Sequence, residues 1–156
     1  MLSMKKNSQR GITLIELLIV ISIIGIMAYS AAPNLSNVMS HKDLNTARST
    51  LLLSLNKAKN IARTQSTIVE VSISENIITL APGNASADES IKMPDTVSPT
   101  TSVSNFRFNS MGMATTPEDA NIDADMTITI QPSTNEDISS TITITPTGLI
   151  AASAAS

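Results

Sequence analysis

The feature that most limits how this chain can fold is a run of 21 apolar or small residues, from Ile12 to Ala32, with a single charge at Glu16. As a helix the run is roughly 30 Å long, which is enough to span a bilayer. Cations that flank such a run are retained in the cytoplasm, and three of them lie between residues 5 and 10. We therefore expect the C-terminal bulk of the chain to lie outside.

A secretory signal peptide, or a membrane anchor with no further role, is the simplest interpretation of this run. A signal peptide has a shorter apolar region and ends at a small-x-small cleavage site. Ala28 and Ser30 give the nearest match to such a site, but the helical pattern resumes after them. The run is thus more typical of a retained helix than of a conventional signal peptide.

Glu16 separates the remaining interpretations. A carboxylate inside a membrane span costs a few kcal/mol on insertion scales, so a plain anchor gains nothing from it. The carboxylate needs a cation at the same depth, and the run contains no Lys or Arg. A new α-amino group, made by cutting the chain just upstream, is the obvious candidate.

Residues 5–20, Lys-Lys-…-Arg-Gly-Ile-Thr-Leu-Ile-Glu-Leu-Leu-Ile-Val, resemble the class III leader and N-terminal motif of type IV pilins and type II secretion pseudopilins. The resemblance implies that a prepilin peptidase cuts after Gly11 and N-methylates the amine of Ile12. It also implies that Glu16 meets the N-terminal amine of a neighbouring subunit in the fibre. Gly25 and Pro33 match positions at which the family's helix unwinds or bends. Ile12 is a departure, since phenylalanine is usual there, although cleavage tolerates other apolar residues.

Beyond Pro33 the sequence returns to a helical period. Leucines and alanines recur at intervals of three and four residues and predict one buried face of a helix that ends near Thr64–Ser66: Leu44, Ala47, Leu51, Leu55, Ala58 and Ala62. Five cations between Lys42 and Arg63 lie mostly off that face. They either solubilise the helix or touch the acidic heads of neighbouring subunits.

From Thr67 the period changes to two, which is typical of half-buried strands. We expect a hairpin over residues 69–80, a third strand at 106–108, and two more strands at 126–130 and 141–145. The polar segment from Pro82 to Ser104 is interpreted as a loop. The predicted fold class is α+β: a long N-terminal α-helix, pilin-like and partly transmembrane, packed on a small antiparallel β-sheet head.

The order of these elements resembles the H-type minor pseudopilins and the related FimT/FimU-type minor pilins. The matching residues are the Phe-x-Phe…Gly segment, 106–112, and the Thr-Pro-x-Gly segment, 145–150. Major pilins often close their C-terminal region with a disulfide, and this chain has no cysteine, which favours the minor class. The chain then divides into a prepilin leader (1–11), a hydrophobic transmembrane and assembly helix (12–40) and an extracytoplasmic head (41–156).

Charge and composition argue against most other functions. Beyond Arg63 the chain has two cations against eleven acids, which is unlike a general phosphate-binding surface. His41 is the single histidine and cysteine is absent, so a His- or Cys-based catalytic or zinc site lacks partners. We expect no enzyme activity, no cofactor and no metal. The loop Asp119–Asp125 starts like an EF-hand, but Ala124 and Ile130 stand where that motif needs Gly and Glu.

A DNA-binding minor pilin for natural transformation is the alternative function. In some FimT-type proteins, arginines near the C-terminal glycine are implicated in DNA uptake. Here the stretch from Gly148 to Ser156 has no cation, and phosphate contacts need Lys or Arg. A salt-sensitive affinity of the head for DNA would favour this alternative, and a third possibility is an anchored β-domain that never polymerises.

We therefore expect a structural minor subunit of a type IV pilus or type II secretion pseudopilus. Its expected partners are a prepilin peptidase, other pilins or pseudopilins, and the inner membrane before assembly, and DNA is not expected among them. It is expected in the bacterial inner membrane as a single-pass protein with a periplasmic head, and then in the fibre, near its tip.

Overall fold

The computed structural model describes residues 12–118, 120, 122–133 and 137–153, and for residues 30–37 it describes the secondary structure alone. The leader, residues 1–11, lies outside the described residues. The chain separates into two compact units, Met1–Ser36 and Asn37–Ser156. Every buried apolar side chain that is described belongs to the second unit. The division of the chain at residues 11/12 and 40/41 stays a prediction.

A single helix, α1 (Leu14–Thr64), is the first element, and it ends where the sequence predicts. The backbone N–H of Thr67 donates to the carbonyl of Ala62 at 3.1 Å, and Ser66 has a φ of 50°. This is the six-to-one closure of a Schellman motif, with Ser66 in the left-handed conformation that glycine usually takes. Arg63 lies in the last turn, where a cation interacts favourably with the helix dipole.

The predicted buried face of α1 is confirmed. All six of its leucines and alanines are fully buried. Two serines, Ser40 and Ser54, are buried on the same side of the helix. The Ser54 hydroxyl donates to the carbonyl of Thr50 at 2.8 Å, so its burial leaves no donor unsatisfied.

Nine strands follow within the described residues: β1 (Val69–Ser74), β2 (Ile77–Pro82), β3 (Glu89–Lys92), β4 (Val97–Thr101), β5 (Asn105–Phe108), β6 (Ala114–Thr115), β7 (Met126–Pro132), β8 (Ser140–Ile144) and β9 (Ile150–Ala152). They form two antiparallel sheets. One has five strands in the order β3-β2-β1-β5-β6, and the other has four in the order β4-β7-β8-β9. The predicted antiparallel head is confirmed, and it is built from two sheets.

The predicted hairpin corresponds to β1 and β2, with Val71 opposite Leu80 and Ser74 opposite Ile77. Glu75, in the turn, has a φ of 52°. The alternation of β1, β5, β7 and β8 buries every second side chain, as their period of two predicts. Phe106 and Phe108 are core residues, and their rings meet edge to face with centroids 5.6 Å apart.

The prediction of a loop from Pro82 to Ser104 was wrong, because this segment contains β3 and β4. Both strands lie at the edge of a sheet, where side chains alternate less strictly between core and solvent. In β3 the one apolar residue, Ile91, is half-buried. In β4, Pro99 has no backbone N–H to donate to a neighbouring strand. An edge strand tolerates this loss, whereas a central strand does not.

Two tight turns of the same design meet between the sheets; we call Asn109–Met113 and Thr145–Leu149 the turn pair. Each is closed by two backbone hydrogen bonds, of 2.7 and 3.0 Å in the first turn and 2.8 and 2.9 Å in the second. Gly112 and Gly148 have φ values of 79° and 77°. A Cβ placed on Gly148 would lie 1.9 Å from the carbonyl oxygen of Gly112. The turns therefore touch through their backbones, and glycine is required at this contact.

Gly148→Ala should destabilise the head because it combines a left-handed residue with a backbone clash. We expect a loss of at least ~2 kcal/mol in the free energy of unfolding, measured by urea denaturation of residues 37–156. Gly83→Ala is the matched control, since its Cβ would meet neighbouring atoms no closer than 3.4 Å. Equal stabilities of the two variants would contradict the contact between the turns.

Candidate assembly site at the start of the helix

Helix α1 begins with a hydrogen-bonded cap at Thr13. The Thr13 hydroxyl accepts from the backbone N–H of Glu16 at 3.3 Å, and its carbonyl accepts from the N–H of Leu17 at 3.2 Å. Thr-x-x-Glu is the spacing of a capping box, in which Thr is the N-cap and Glu the third helical residue. The partial positive charge of the helix N-terminus also favours the Glu16 carboxylate. Sequence reasoning missed Thr13, although the Thr-x-x-Glu spacing was a readable signal.

Every side chain described between Ile12 and Tyr29 is exposed. The large aliphatic side chains among them range from Val20, 50% exposed, to Leu14, 82% exposed. Apolar groups therefore cover the whole circumference of this part of α1. A helix that is apolar all round is normally buried in lipid or protein, because exposure of such a large apolar surface to water is unfavourable.

Glu16 shares one side of α1 with Ile12, Leu17 and Val20, which line a shallow groove of about 240 Å³ with it. Val20 lies four positions after Glu16, a spacing that makes two side chains neighbours on a helix surface. Ile12 lies four positions before Glu16, just ahead of the first residue of α1. Glu16 has no ion pair within the described residues. The sequence has no Lys or Arg between Arg10 and Lys42, so this stretch of the chain supplies no cation for the carboxylate.

The structure describes the other predicted site residues, Gly11, Ile12, Gly25 and Pro33, in less detail. Gly11 lies outside the described residues, and Ile12 is the first residue within them. Helix α1 is assigned through both Gly25 and Pro33, and the side chain of Pro33 is not among those described. A Cβ on Gly25 would meet no atom within 4 Å. The bends predicted at these two residues stay predictions.

A membrane span is not found in the described part of the chain, where no helix has both the length and the apolar character to cross a bilayer. The predicted single-pass anchor is therefore not confirmed.

The basic side of α1 is used within the head itself. Lys57 pairs with Glu89 of β3 at 2.6 Å, and Lys59 donates to the carbonyl of Gly148 at 2.7 Å. Arg48 donates to the carbonyl of Ala152 in β9 at 3.4 Å. These cations tie the helix to a strand at the edge of each sheet, so solubility and contact with neighbouring subunits are not their sole roles.

The described residues hold no group of three or more acidic, histidine or cysteine side chains placed to bind a metal. His41 is exposed on α1. Two candidate ligands of the acidic loop, Asp119 and Asn121, lie outside the described residues, so the loop's geometry adds nothing to the sequence argument.

Both the start of α1 and the fold of the chain are similar to those of known proteins. Residues 6–28 match the family described as the prokaryotic N-terminal methylation motif. Over 72% of this chain and 90% of the other, the fold is similar to the type IV minor pilin FimU of Pseudomonas aeruginosa strain PAO1, with 17% identity and a TM-score of 0.59. By motif and by fold, the chain is pilin-like.

Two further crystal structures agree with this result. A second crystal form of FimU gives a TM-score of 0.57 at 17% identity, over 71% of this chain and 93% of that one. The minor pseudopilin EpsH, from the Type 2 Secretion System of Vibrio cholerae, gives 0.52 at 14% identity, over 69% and 93%. At such identities the likeness shows the fold. A search of curated proteins returned no significant match.

The methylation motif spans the capped start of α1 and ends just before Tyr29. A motif of this kind implies processing by a prepilin peptidase and assembly with other pilins. The matched residues 6–28 thus include both the predicted cleavage point and the exposed apolar surface described above.

Proposed function

We propose that the chain is a structural, non-enzymatic minor subunit of a type IV pilus or type II secretion pseudopilus. The observation that carries the proposal is the start of α1, which is apolar all round, wholly exposed and marked by one acid without a cation. Lipid covers the apolar surface but leaves Glu16 unpaired, at a cost of a few kcal/mol. A neighbouring helix with a free N-terminus covers the surface and also supplies the cation.

Assembly then follows from the residues in order along the chain. Cleavage after Gly11 leaves the amine of Ile12 one residue before the cap at Thr13. In the fibre, that amine pairs with Glu16 of a neighbouring subunit, and the apolar surfaces of adjacent helices bury one another. Before assembly the subunit is held in the inner membrane with its head in the periplasm.

Two observations support a minor subunit, and we propose that it lies near the fibre tip. The chain has no cysteine, so the C-terminal disulfide of many major pilins is absent. The fold is shared with a protein described as a minor pilin and with another described as a minor pseudopilin.

Processing is the first test. The mature protein should begin at Ile12 with a methylated amine and should lack residues 1–11. Gly11→Ala should be cleaved in part, whereas a bulky side chain such as that of Gly11→Leu should block cleavage. Intact-mass measurement on protein from native membranes decides the point. A mature N-terminus at Met1, or one beyond Ala28, would be incompatible with the proposal.

Replacement of Glu16 separates assembly from anchoring. Glu16→Ala removes a charge from the apolar surface, so membrane insertion should become easier by a few kcal/mol. In the fibre it leaves a neighbour's amine buried without a partner, at a cost of ~3 kcal/mol or more. The ratio of fibre-associated to membrane protein should therefore fall at least about tenfold, with normal cleavage at Gly11.

Two matched variants show whether charge or shape is responsible. Glu16→Gln keeps the size of the side chain without its charge and should behave like Glu16→Ala. Glu16→Asp keeps the charge with a shorter reach and should give an intermediate ratio. A ratio in Glu16→Ala and Glu16→Gln equal to that of the native chain would remove Glu16 from the assembly site.

A further inference from the structure

We propose that the edge strand β3 binds an extended segment of a neighbouring subunit of a different kind. The segment adds a sixth strand to the five-stranded sheet, and one of its apolar side chains enters a groove between β3 and α1. The inference rests on the proposed function, because a fibre is what brings other pilin-like subunits beside this head.

The outer edge of β3 presents unpaired backbone groups. The N–H of Met93 donates to the carbonyl of Asn76 at 2.8 Å, which fixes the hydrogen-bond pattern between β2 and β3. Bonded and non-bonded positions alternate along an antiparallel pair, so Ile91 also bonds to β2. The N–H and C=O groups of Ser90 and Lys92 therefore point away from the sheet, and no strand lies beyond them among the described residues.

The edge of the other sheet at β4 is closed by proline. The backbone groups of Val97, Pro99 and Thr101 point outward, since the neighbouring Ser102 donates to the opposite strand, β7. The N–H of Val97 donates to the carbonyl of Pro94 at 3.1 Å, and Pro99 has no N–H. A strand beside β4 would therefore find a single backbone donor, at Thr101.

The remaining edges, β6 and β9, are contacted by the head itself. The N–H of Ala114 in β6 donates to the carbonyl of Pro146 in the turn pair at 3.1 Å. In β9 the outward carbonyl of Ala152 accepts from Arg48 at 3.4 Å, so α1 stands beside this edge. Within the described part of the chain, β3 is thus the edge whose outward backbone groups have neither a proline nor a hydrogen bond.

Both charged side chains of β3 are paired within the head. Lys92 pairs with Asp95 at 2.8 Å, and Glu89 pairs with Lys57 of α1 at 2.6 Å. A lysine on an edge strand discourages pairing with another strand through its charge. Here an ion pair offsets that charge, so the edge favours an uncharged segment as its partner.

A groove lies between this edge and α1, and we call it the β3 groove. It has a volume of about 320 Å³ and is lined by six residues: Thr50, Leu53, Ser54, Lys57, Glu89 and Ile91. Leu53, on the helix wall, is 72% exposed, and Ile91, on the strand wall, is half-buried. Every second side chain of a strand added to β3 faces this groove, because side chains alternate between the two sides of a sheet.

The edge and the groove together describe the occupant. Backbone hydrogen bonds to Ser90 and Lys92 supply affinity for any extended segment, and the apolar walls of the β3 groove select one with an apolar side chain at an alternate position. The occupant is therefore an extended, uncharged segment with at least one such side chain.

A second copy of this chain is a poor occupant because β3 is its own open edge. Pairing of β3 with β3 gives a two-fold contact, which closes on itself after two copies. Such a dimer leaves no open edge to join the head to the rest of a fibre. A subunit of another kind has no such restriction, and a minor subunit has subunits of other kinds as its neighbours.

Photocross-linking from the β3 groove tests the inference in cells that express the full chain. An aliphatic diazirine amino acid in place of Leu53 should give an adduct in the fibre fraction after irradiation. The mass of the adduct should identify a pilin-like subunit different from this chain.

Proline at the open edge tests the role of the backbone. Ser90→Pro removes an outward N–H and leaves the bonds between β2 and β3 in place, as Pro99 does in β4. The adduct yield should fall about fivefold or more, as expected for the loss of one backbone hydrogen bond. Ser90→Thr keeps the N–H, and Thr101→Pro places a proline on the edge that is already closed. Both controls should leave the yield unchanged.

A charge in the β3 groove is a second test that leaves β3 itself intact. Thr50→Asp should lower the adduct yield about fivefold or more, because its carboxylate loses water beside the partner's apolar side chain. Asn56→Asp is the matched control, since Asn56 is exposed on the same helix outside the groove. Equal yields from Thr50→Asp and Asn56→Asp would contradict an apolar occupant.

The outcomes also separate this contact from the proposed function. If the native chain is cleaved and enters fibres but position 53 gives no adduct, the contact is overturned and the function stands. The same holds if Ser90→Pro is folded and leaves the yield unchanged. An adduct of two copies of this chain would indicate pairing of β3 with β3 and would also overturn the inference. A native chain that never enters fibres would overturn the proposed function and this inference with it.

Discussion

The unpaired acid on an uncovered apolar helix is the constraint on which the rest of the molecule depends. The start of α1 exposes aliphatic side chains on all sides, and its single charge has no cation in the surrounding sequence. Burial of the surface is favourable, whereas burial of Glu16 is costly unless an opposite charge comes with it. A second processed helix satisfies both requirements at once. The cap at Thr13 adds that the helix is already hydrogen-bonded one residue after the proposed mature N-terminus at Ile12.

The head shows how the second part of α1 is held to its sheets. Its fully buried face forms one wall of the core, and its basic side chains reach an edge strand on each sheet. Lys59 also bonds to the turn pair through the carbonyl of Gly148. Of these contacts, the one from Arg48 uses a backbone carbonyl of the edge strand β9, whereas the ion pair from Lys57 holds a side chain of the edge strand β3.

The periodicity of the sequence predicted the helix and the strands whose buried residues recur at regular intervals. The buried face of α1, the hairpin of β1 and β2, and the strands around Phe106 and Ile142 alternate regularly enough to be read from the sequence. The edge strands β3 and β4 were missed because strands at an edge need few apolar residues. The contact between Gly112 and Gly148 was also missed, since it joins residues far apart in the chain.

The candidate site was predicted in a different way. Glu16 was recognised as a charge out of place in an apolar run, and its neighbours on the helix follow from helical spacing. The Thr-x-x-Glu spacing indicates a helix cap at Thr13. The hydrogen bond from the backbone N–H of Glu16 to the Thr13 hydroxyl shows that cap in the structure. In the proposed fibre, the cation that pairs with Glu16 belongs to a neighbouring subunit, so the fold of one chain does not show it.

The central claim is that neighbouring subunits, and not lipid, finally cover the apolar part of α1. It is tested most directly with a photoreactive amino acid in place of Ile24, which is exposed in the middle of that surface. Irradiated fibres should yield covalent adducts with another pilin-like subunit, identified by mass, while irradiated membranes yield adducts with lipid. Fibres that contain this chain but yield no protein adduct at Ile24 would contradict the account.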